Sequence, residues 1–434
     1  MTETSVGKYR YRILALLFIA TTINYMDRSV LGVLGPTLRD TVFHWTNKEY
    51  AYINMAFKFA YAAGLLLTGL IVDKVGAGIG YTLAIGTWSV FGMLHAAIRP
   101  AFGFWGFFIA RLGLGLGESG NFPACIKTVA EWFPKRERAF ATGVFNAGTN
   151  VGAILAPMLI PLIVDGATGK NWQWGFLTTG VFSAIWVVAW LRTYKRPEVH
   201  PGVSKAELAY IISDSTVETT EKLPWAKVLP HRETLAFCVA KIPDAVWWFY
   251  LFWGAFFLNF KYGLKLSGLA LPIIIIYVTA DVGSVLGGWL SSSFIKRGWP
   301  INRARKLTML IFSICILPVS FAARADNQWV AVALIAIAAA SHQAWSANVF
   351  TLVSDVFPKK ATASVVGIGG MVGALAGMLA DFSLGQVLDQ SGEAGYFWAF
   401  LIAGSMYLVC LAVIHLLMPT MTPLDENLNR RQAA

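Results

Sequence analysis

Charge is scarce in this 434-residue chain: Asp, Glu, Lys and Arg together supply 14% of it, against about 25% in an ordinary soluble domain. That shortage argues against a water-soluble fold, and the 56% of apolar residues shows what takes its place. Cysteine is scarce too. Cys125, Cys238, Cys315 and Cys410 each fall inside an apolar run, with no Cys-x-x-Cys or Cys/His spacing, so no zinc site is expected and the thiols read as free and buried. The formal net charge is +11, but the basic residues are scattered between hydrophobic stretches and form no single face, which sets aside a nucleic-acid partner. Nothing in the chain suggests an enzyme, and neither metal nor cofactor is expected. One motif invites the opposite conclusion: Gly115-Leu116-Gly117-Glu118-Ser119-Gly120 satisfies Gly-x-Gly-x-x-Gly. It lies inside an apolar helical run with no preceding strand, so the dinucleotide reading is rejected.

What the chain does have is apolar runs of about 20 residues, the length a helix needs to cross hydrocarbon. About twelve are expected, in two groups of six. The first group covers Tyr11–Leu31, Tyr50–Val72, Gly80–Ile98, Phe102–Thr128, Ala139–Val164 and Trp174–Leu191. The second covers Leu235–Phe260, Gly268–Ser292, Leu307–Ala323, Val330–Val353, Thr362–Leu388 and Tyr396–Met418. The expected organisation is an N-terminal six-helix bundle over 1–191, a cytoplasmic linker over 192–233, and a C-terminal bundle with its tail over 234–434. Ser204-Lys205-Ala206-Glu207 has the capping-box pattern that opens a short helix in the linker. The first apolar run ends in Asn24-Tyr25-Met26-Asp27-Arg28 with no cleavage pattern, so it reads as a retained helix and not a signal peptide.

Basic clusters at Lys8/Arg10/Arg12, Lys135/Arg136/Arg138, Lys296/Arg297/Arg303/Arg305/Lys306 and Lys359/Lys360 alternate with poorer loops. The positive-inside rule places them, and both termini, in the cytoplasm. Glu131-Trp132-Phe133-Pro134-Lys135-Arg136 recurs about 220 residues later as Asp355-Val356-Phe357-Pro358-Lys359-Lys360, the mark of a transporter built from two related halves. Gly143, Gly148 and Gly152 answer to Gly367, Gly370, Gly373 and Gly377. Small residues at these spacings serve either a moving interface or static close packing.

Ionisable groups within membrane spans are costly and point to function. Asp27, Arg28, Lys58, Arg111 and Glu118 all fall in the first half, while Asp244, Asp281 and Asp381 sit nearer span ends in the second. Asp27 and Arg28 are neighbours on a helix, about 100° apart, and must serve different partners. The expected arrangement pairs Asp27 with Arg111 and lets Arg28 face a cavity as the ligand of a carboxylate, which its planar fork suits. Glu118, set among small residues that leave room for water, reads as a proton carrier or as a hydrogen-bonded helix contact. Lys58, three residues before Tyr61, offers a second cation or else snorkels to the interface. His342 and Gln343, beside Trp345, supply donors for a polyhydroxylated ligand or a packed structural contact. Trp248, with Trp247, Tyr250 and Trp253, forms either an interfacial belt or a wall for sugar stacking.

These residues resemble the major facilitator superfamily and, within it, anion:cation symporters such as bacterial hexuronate transporters. The resemblance covers essentially the whole chain. It is carried by Asn24-Tyr25-Met26-Asp27-Arg28, Gly69-x-x-x-Asp73-Lys74-x-Gly76, Arg111-x-Gly-x-Gly-x-Gly-Glu118, Glu131-Trp-Phe-Pro134, Val246-Trp247-Trp248-Phe249-Tyr250, Gly287-Gly288-Trp289-Leu290-Ser291-Ser292 and His342-Gln343-Ala-Trp345-Ser346. It implies an all-α polytopic fold of two pseudo-symmetric six-helix bundles in a bacterial inner membrane. The implied activity is proton-coupled symport of a hexuronate such as glucuronate or galacturonate by a monomer; an aldonate, an aromatic carboxylate or an uncoupled facilitator is the alternative. By the same resemblance Arg28 holds the substrate carboxylate, Asp27 and Glu118 are protonation sites and Arg111 pairs with them. Tyr61, Thr149 and Asn150 contact substrate, and Gly69, Asp73 and Lys74 belong to a cytoplasmic gate. The chain departs from the pattern after Gly76, where Ala77 and Gly78 stand in place of a basic residue.

Overall fold

The computed structural model describes residues 7–213, 225–425 and 427–429. The described residues form fifteen α-helices in chain order: α1 (Tyr9–Thr37), α2 (Asn47–Leu94), α3 (Gly103–Glu118), α4 (Asn121–Trp132), α5 (Lys135–Ile163), α6 (Trp172–Thr193), α7 (Lys205–Ile211), α8 (Trp225–Val228), α9 (Arg232–Lys241), α10 (Asp244–Tyr262), α11 (Leu266–Lys296), α12 (Ile301–Ile316), α13 (Gln328–Val356), α14 (Lys359–Ser391) and α15 (Glu393–Leu417). Eleven helical stretches among the described residues are long and apolar enough to cross a membrane. The expected second span, Tyr50–Val72, lies outside those eleven and forms the first part of α2, continuous with the third span. The turn between the two is made at Gly76, whose φ of 84° and ψ of 162° suit only a residue without a Cβ.

The outward faces explain why the solvent must be lipid. On α6, Val181, Ile185, Val188 and Leu191 are exposed at helical spacing, and on α11 Val278, Val282 and Val285 repeat the pattern. Such stripes would drive aggregation in water, whereas in hydrocarbon they are required, because the helix satisfies its own backbone and only its side chains meet the tails. The chain is a multi-pass α-helical membrane protein. All four cysteines are free, but only Cys125 and Cys410 are buried; Cys238 is half-buried and Cys315 is exposed. An apolar run therefore misreads burial for Cys315, which lies next to the exposed Ile314 on the outer side of α12.

Two expected spans are broken. The fourth is α3 followed by α4 with a turn at Ser119 and Gly120, and the seventh is α9 followed by α10 around Ile242 and Pro243. The repeated Phe-Pro motif adopts one geometry twice: Pro134 (φ −61°, ψ 153°) opens α5 and Pro358 (φ −64°, ψ 152°) opens α14. Proline presets φ and needs no N–H at a helix start, which is why the motif marks both junctions.

The chain divides into two compact units. One comprises Met1–Leu34, Thr41–Phe43 and Phe59–Thr219; the other comprises Gly35–Asp40, His44–Lys58 and Thr220–Ala434. Within the first, α5 approaches α1 through Gly148 and Gly152, where any Cβ would press on the backbone at Phe18, Thr22 and Met26. The linker helix α7 opens as its capping box predicts, Ser204 accepting from the Glu207 N–H at 3.1 Å. Glu207 itself turns to Arg10, taking its backbone N–H at 3.1 Å and its guanidinium at 3.4 Å, while Tyr210 donates to Glu137 at 2.6 Å. The linker is thereby fastened to the starts of α1 and α5.

Within the second unit, α11 and α13 meet along Gly283 and Gly287, where an added Cβ would enter the backbone at Ala340 and Ala344. Gly288 next door has open space. Gly283→Ala is therefore expected to lower the unfolding temperature in detergent by an overpacking penalty of about 1–3 kcal/mol, with Gly288→Ala unchanged within about 0.5 kcal/mol. Equal melting curves for the two variants would contradict this contact.

Candidate functional site

In the first unit the charged residues of α1 and α3 come together. Arg28 is 2% exposed and Glu118 fully buried. Arg28 Nε donates to Glu118 Oε2 at 2.9 Å, with Nη2 2.8 Å from the same oxygen. The guanidinium is flanked by the rings of Tyr25 (4.5 Å) and Tyr61 (4.8 Å), whose faces favour a cation. Glu118 Oε1 is buried and has no hydrogen-bond partner among the described residues, and neither amide atom of the fully buried Asn24, one turn back on α1, has one. The site thus holds a cation against a carboxylate, beside polar atoms that remain to be satisfied among the described residues.

Asp27 points elsewhere, as its 100° offset from Arg28 demands. It accepts from Ser183 on α6 at 3.3 Å, and Ser183 in turn accepts from Trp88 Nε1 at 3.0 Å. Arg111, fully buried, is an electrostatic neighbour of Asp27, Glu118 and His95. The arrangement expected from sequence is therefore redistributed: the close ion pair joins Arg28 to Glu118, and Asp27 is held by a hydroxyl with Arg111 nearby. The physical reason is register, since Glu118 at the end of α3 reaches the level of Arg28 while Arg111 lies two turns away. Thr149 and Asn150 follow Gly148 on the stretch of α5 that packs on α1, with Thr149 Oγ1 3.4 Å from Asn150 Oδ1. Gly69 lies in the first part of α2 with open space where a Cβ would stand, Lys74 is exposed, and the Asp73 side chain is outside the described residues.

The second unit holds the remaining candidates. Lys58 does not snorkel: its side chain is fully buried, Nζ lies 2.7 Å from Asp381 Oδ2 and donates to the Gly377 carbonyl at 3.1 Å. The rings of Trp248 and Phe252, stacked on each other, are 5.3 Å from that ammonium. Trp253 Nε1 donates to Asp381 Oδ1 at 3.0 Å. Further along α14, Gly385 receives Ala51, and the Asp389 carboxylate accepts the N–H groups of Asn47 and Lys48 at 2.9 Å each, capping the start of α2. Gly377, Asp381, Gly385 and Asp389 thus form one ridge at four-residue spacing that grips residues 47–58. Trp248 belongs to this cage and not to an interfacial belt. His342 is buried, with Nδ1 2.7 Å from the Tyr407 hydroxyl and its ring stacked on Trp247 at 5.5 Å, while Gln343 is half-buried.

Nothing in the sequence singled out Ser183 or His95; Asp389 reads from sequence as a loop charge beside Glu393 but lies within α14, and Asp381, expected nearer a span end, is 2% exposed. Ser183 and His95 carry no local signal. The Gly-x-x-x-Asp-x-x-x-Gly-x-x-x-Asp ridge of α14 was legible and would have assigned Asp381 to a helix interface. Among the described residues, no group of three or more His, Cys, Asp or Glu side chains could hold a metal.

Comparison with known proteins agrees with this architecture. The pattern of the Major Facilitator Superfamily matches residues 17–380. The chain is 30% identical over 395 residues to a hexuronate transporter of Escherichia coli (strain K12), covering 89% of this chain and 90% of that protein. It is 28% identical over 337 residues to a galacturonate transporter of Dickeya chrysanthemi, covering 76% and 95%. Among solved structures, a bacterial homolog to the human lysosomal transporter Spinster superposes with a TM-score of 0.76 at 17% identity, covering 96% of this chain and 98% of that one. With its family pattern, its relatives and its helical order in agreement, the chain belongs to the Major Facilitator Superfamily of membrane transporters.

Proposed function

We propose that the protein is a proton-coupled symporter of sugar acids, hexuronates such as glucuronate or galacturonate. It works as a monomer in a bacterial inner membrane with both termini in the cytoplasm, and exposes its site alternately to the two sides. The observation that carries this reading is the Arg28–Glu118 pair, a buried guanidinium whose close counter-ion is a carboxylate. While Glu118 is ionised it occupies the fork that would hold a substrate carboxylate. Protonation of Glu118 releases the fork, and the substrate carboxylate then replaces one negative charge by another, so the site never holds an uncompensated cation. Proton and substrate therefore favour each other's binding, and by linkage the effect is reciprocal. Asp27 and Arg111 form a second ionisable set beside the first, which supports their participation in proton handling. The transporter relatives named above support the substrate class, and the alternation of basic loops supports the orientation.

The test is uptake of radiolabelled glucuronate and galacturonate into proteoliposomes of the purified protein, with and without an inward proton gradient. Accumulation above equilibrium only when the gradient is present is expected. Uptake that ignores the gradient would leave a passive facilitator, and folded protein that takes up neither acid would move the substrate to another organic anion such as an aldonate or an aromatic carboxylate.

A further inference from the structure

A neutral Glu118 would carry an O–H that needs an acceptor, and the groups around the ion pair differ in their capacity to be one. Arg28 and Arg111 donate and do not accept. Tyr25 and Tyr61 turn their ring faces to Arg28. Asp27, the other charged neighbour of Glu118, is held by the hydroxyls of Thr179 and Ser183. Asn24 is different: it is fully buried, and neither Nδ2 nor Oδ1 has a hydrogen-bond partner among the described residues. Burying an amide with both functions unspent is costly, and such a group calls for a partner in another form of the site. Two contacts fix where it points. α1 meets the α3–α4 segment at Arg28 with Glu118 and, nearer the start of α1, at Thr21, whose Oγ1 accepts from Asn121 Nδ2 at 3.3 Å. The two pairs run in opposite order along the two segments, so these are antiparallel and Asn24 comes at a level between the contacts. Thr21, Asn24 and Arg28 also lie within about 60° of one another around the helix axis. Asn24 therefore faces the same seam, about 6 Å in rise from Arg28, and in that seam Glu118 Oε1 too is buried without a hydrogen-bond partner among the described residues.

We propose that Asn24 is the positioning residue for the proton-loaded form of Glu118. On protonation the carboxyl leaves the Arg28 fork and pairs with the Asn24 amide, its O–H donating to Oδ1 while Nδ2 donates to its carbonyl oxygen. This rests on the proton role of Glu118 given above. The ionised carboxylate has no hydrogen to offer Oδ1, and its charge-assisted bonds to Arg28 are the stronger choice. The neutral acid gains little from Arg28 and can use both amide functions at once. Glu118 thus has two positions, one for each protonation state, and the second leaves the guanidinium to a substrate carboxylate. Both positions lie within the first compact unit.

The experiment is a pH titration of the purified protein in lipid, followed by infrared absorption, for wild type, Asn24→Leu and Asn24→Ala. The C=O band of neutral Glu118 is identified as the one missing from Glu118→Gln. Removing the amide takes a partner from the neutral form alone, so the titration midpoint is expected to fall by about one pH unit, the scale of one buried hydrogen bond. The band itself is expected to move to higher frequency as its hydrogen bonds are lost, which a purely structural role for Asn24 would not produce. The pH dependence of labelled glucuronate binding should move down by the same amount. Asn24→Leu keeps the volume without the amide; should it fail to fold, Asn24→Ala is read by the same criteria. A midpoint and band that neither substitution moves overturn the inference, as does a midpoint that rises, which would assign the amide to the ionised form. Wild type without a titrating Glu118 band removes the coupling reading and this inference with it, a result distinct from a titrating band that ignores Asn24.

Discussion

Arg28→Ala is expected to weaken substrate binding by about 100-fold or more, the scale of losing two charge-assisted hydrogen bonds to a carboxylate. The guanidinium is desolvated, flanked by Tyr25 and Tyr61, and already shaped around one carboxylate oxygen pair-wise through Nε and Nη2. Arg28→Lys keeps the charge but loses the fork, so it should recover only part of the affinity. Removing Arg28 alone also strips Glu118 of its counter-ion, an imbalance worth about 3–5 kcal/mol if the carboxylate stays ionised. Arg28→Ala/Glu118→Gln separates the two effects: it should recover thermal stability in detergent and still fail to bind. Equilibrium binding of labelled glucuronate is the measurement, and an unchanged dissociation constant in folded Arg28→Ala would place the anion elsewhere.

Glu118→Gln should abolish gradient-driven accumulation while leaving substrate exchange across the membrane in place. Glutamine is close in shape to a protonated glutamate and cannot return the proton, so the fork of Arg28 stays available and the coupling step is missing. The sign of the pH dependence follows. On the proposed mechanism the substrate binds to the form in which Glu118 carries a proton, so affinity is expected to fall as pH rises; in Glu118→Gln that dependence should flatten. Binding curves at several pH values for the two proteins check this, together with uptake driven by an imposed gradient. A variant that still accumulates substrate would transfer the coupling role to Asp27, which is held by the hydroxyls of Thr179 and Ser183 and has Arg111 as an electrostatic neighbour.

Much of this is legible in the amino-acid sequence. Most of the spans and the junctions at Pro134 and Pro358 follow from hydropathy and from one repeated motif, because a bilayer permits few alternatives to helices. The cost of burying charge was enough to single out Arg28, Lys58, Arg111 and Glu118. Their partners were not legible. That Asp27 and Arg28 serve different partners follows from helical periodicity, but which partner each takes depends on the level at which α3 passes α1, and no periodicity contains that. Lys58 shows the same limit. As a lone lysine in an apolar helix it could equally have reached for the interface, and only the approach of α14 shows it held by Asp381. The breaks at Ser119–Gly120 and around Pro243 lie where glycine or proline interrupts an apolar run, yet a run of apolar residues read through them.

The ridge of α14 also constrains how this protein can change. Gly377, Asp381, Gly385 and Asp389 all present to one neighbour, Gly385 by leaving space and the other three by supplying oxygen atoms. A residue inserted or deleted anywhere between the first and last would turn the remainder by about 100°, carrying at least one carboxylate away from its ligands and a side chain into a place shaped for none. Substitutions can be compensated one at a time, but changes of length within these thirteen positions cannot. That segment is therefore a fixed ruler within the chain.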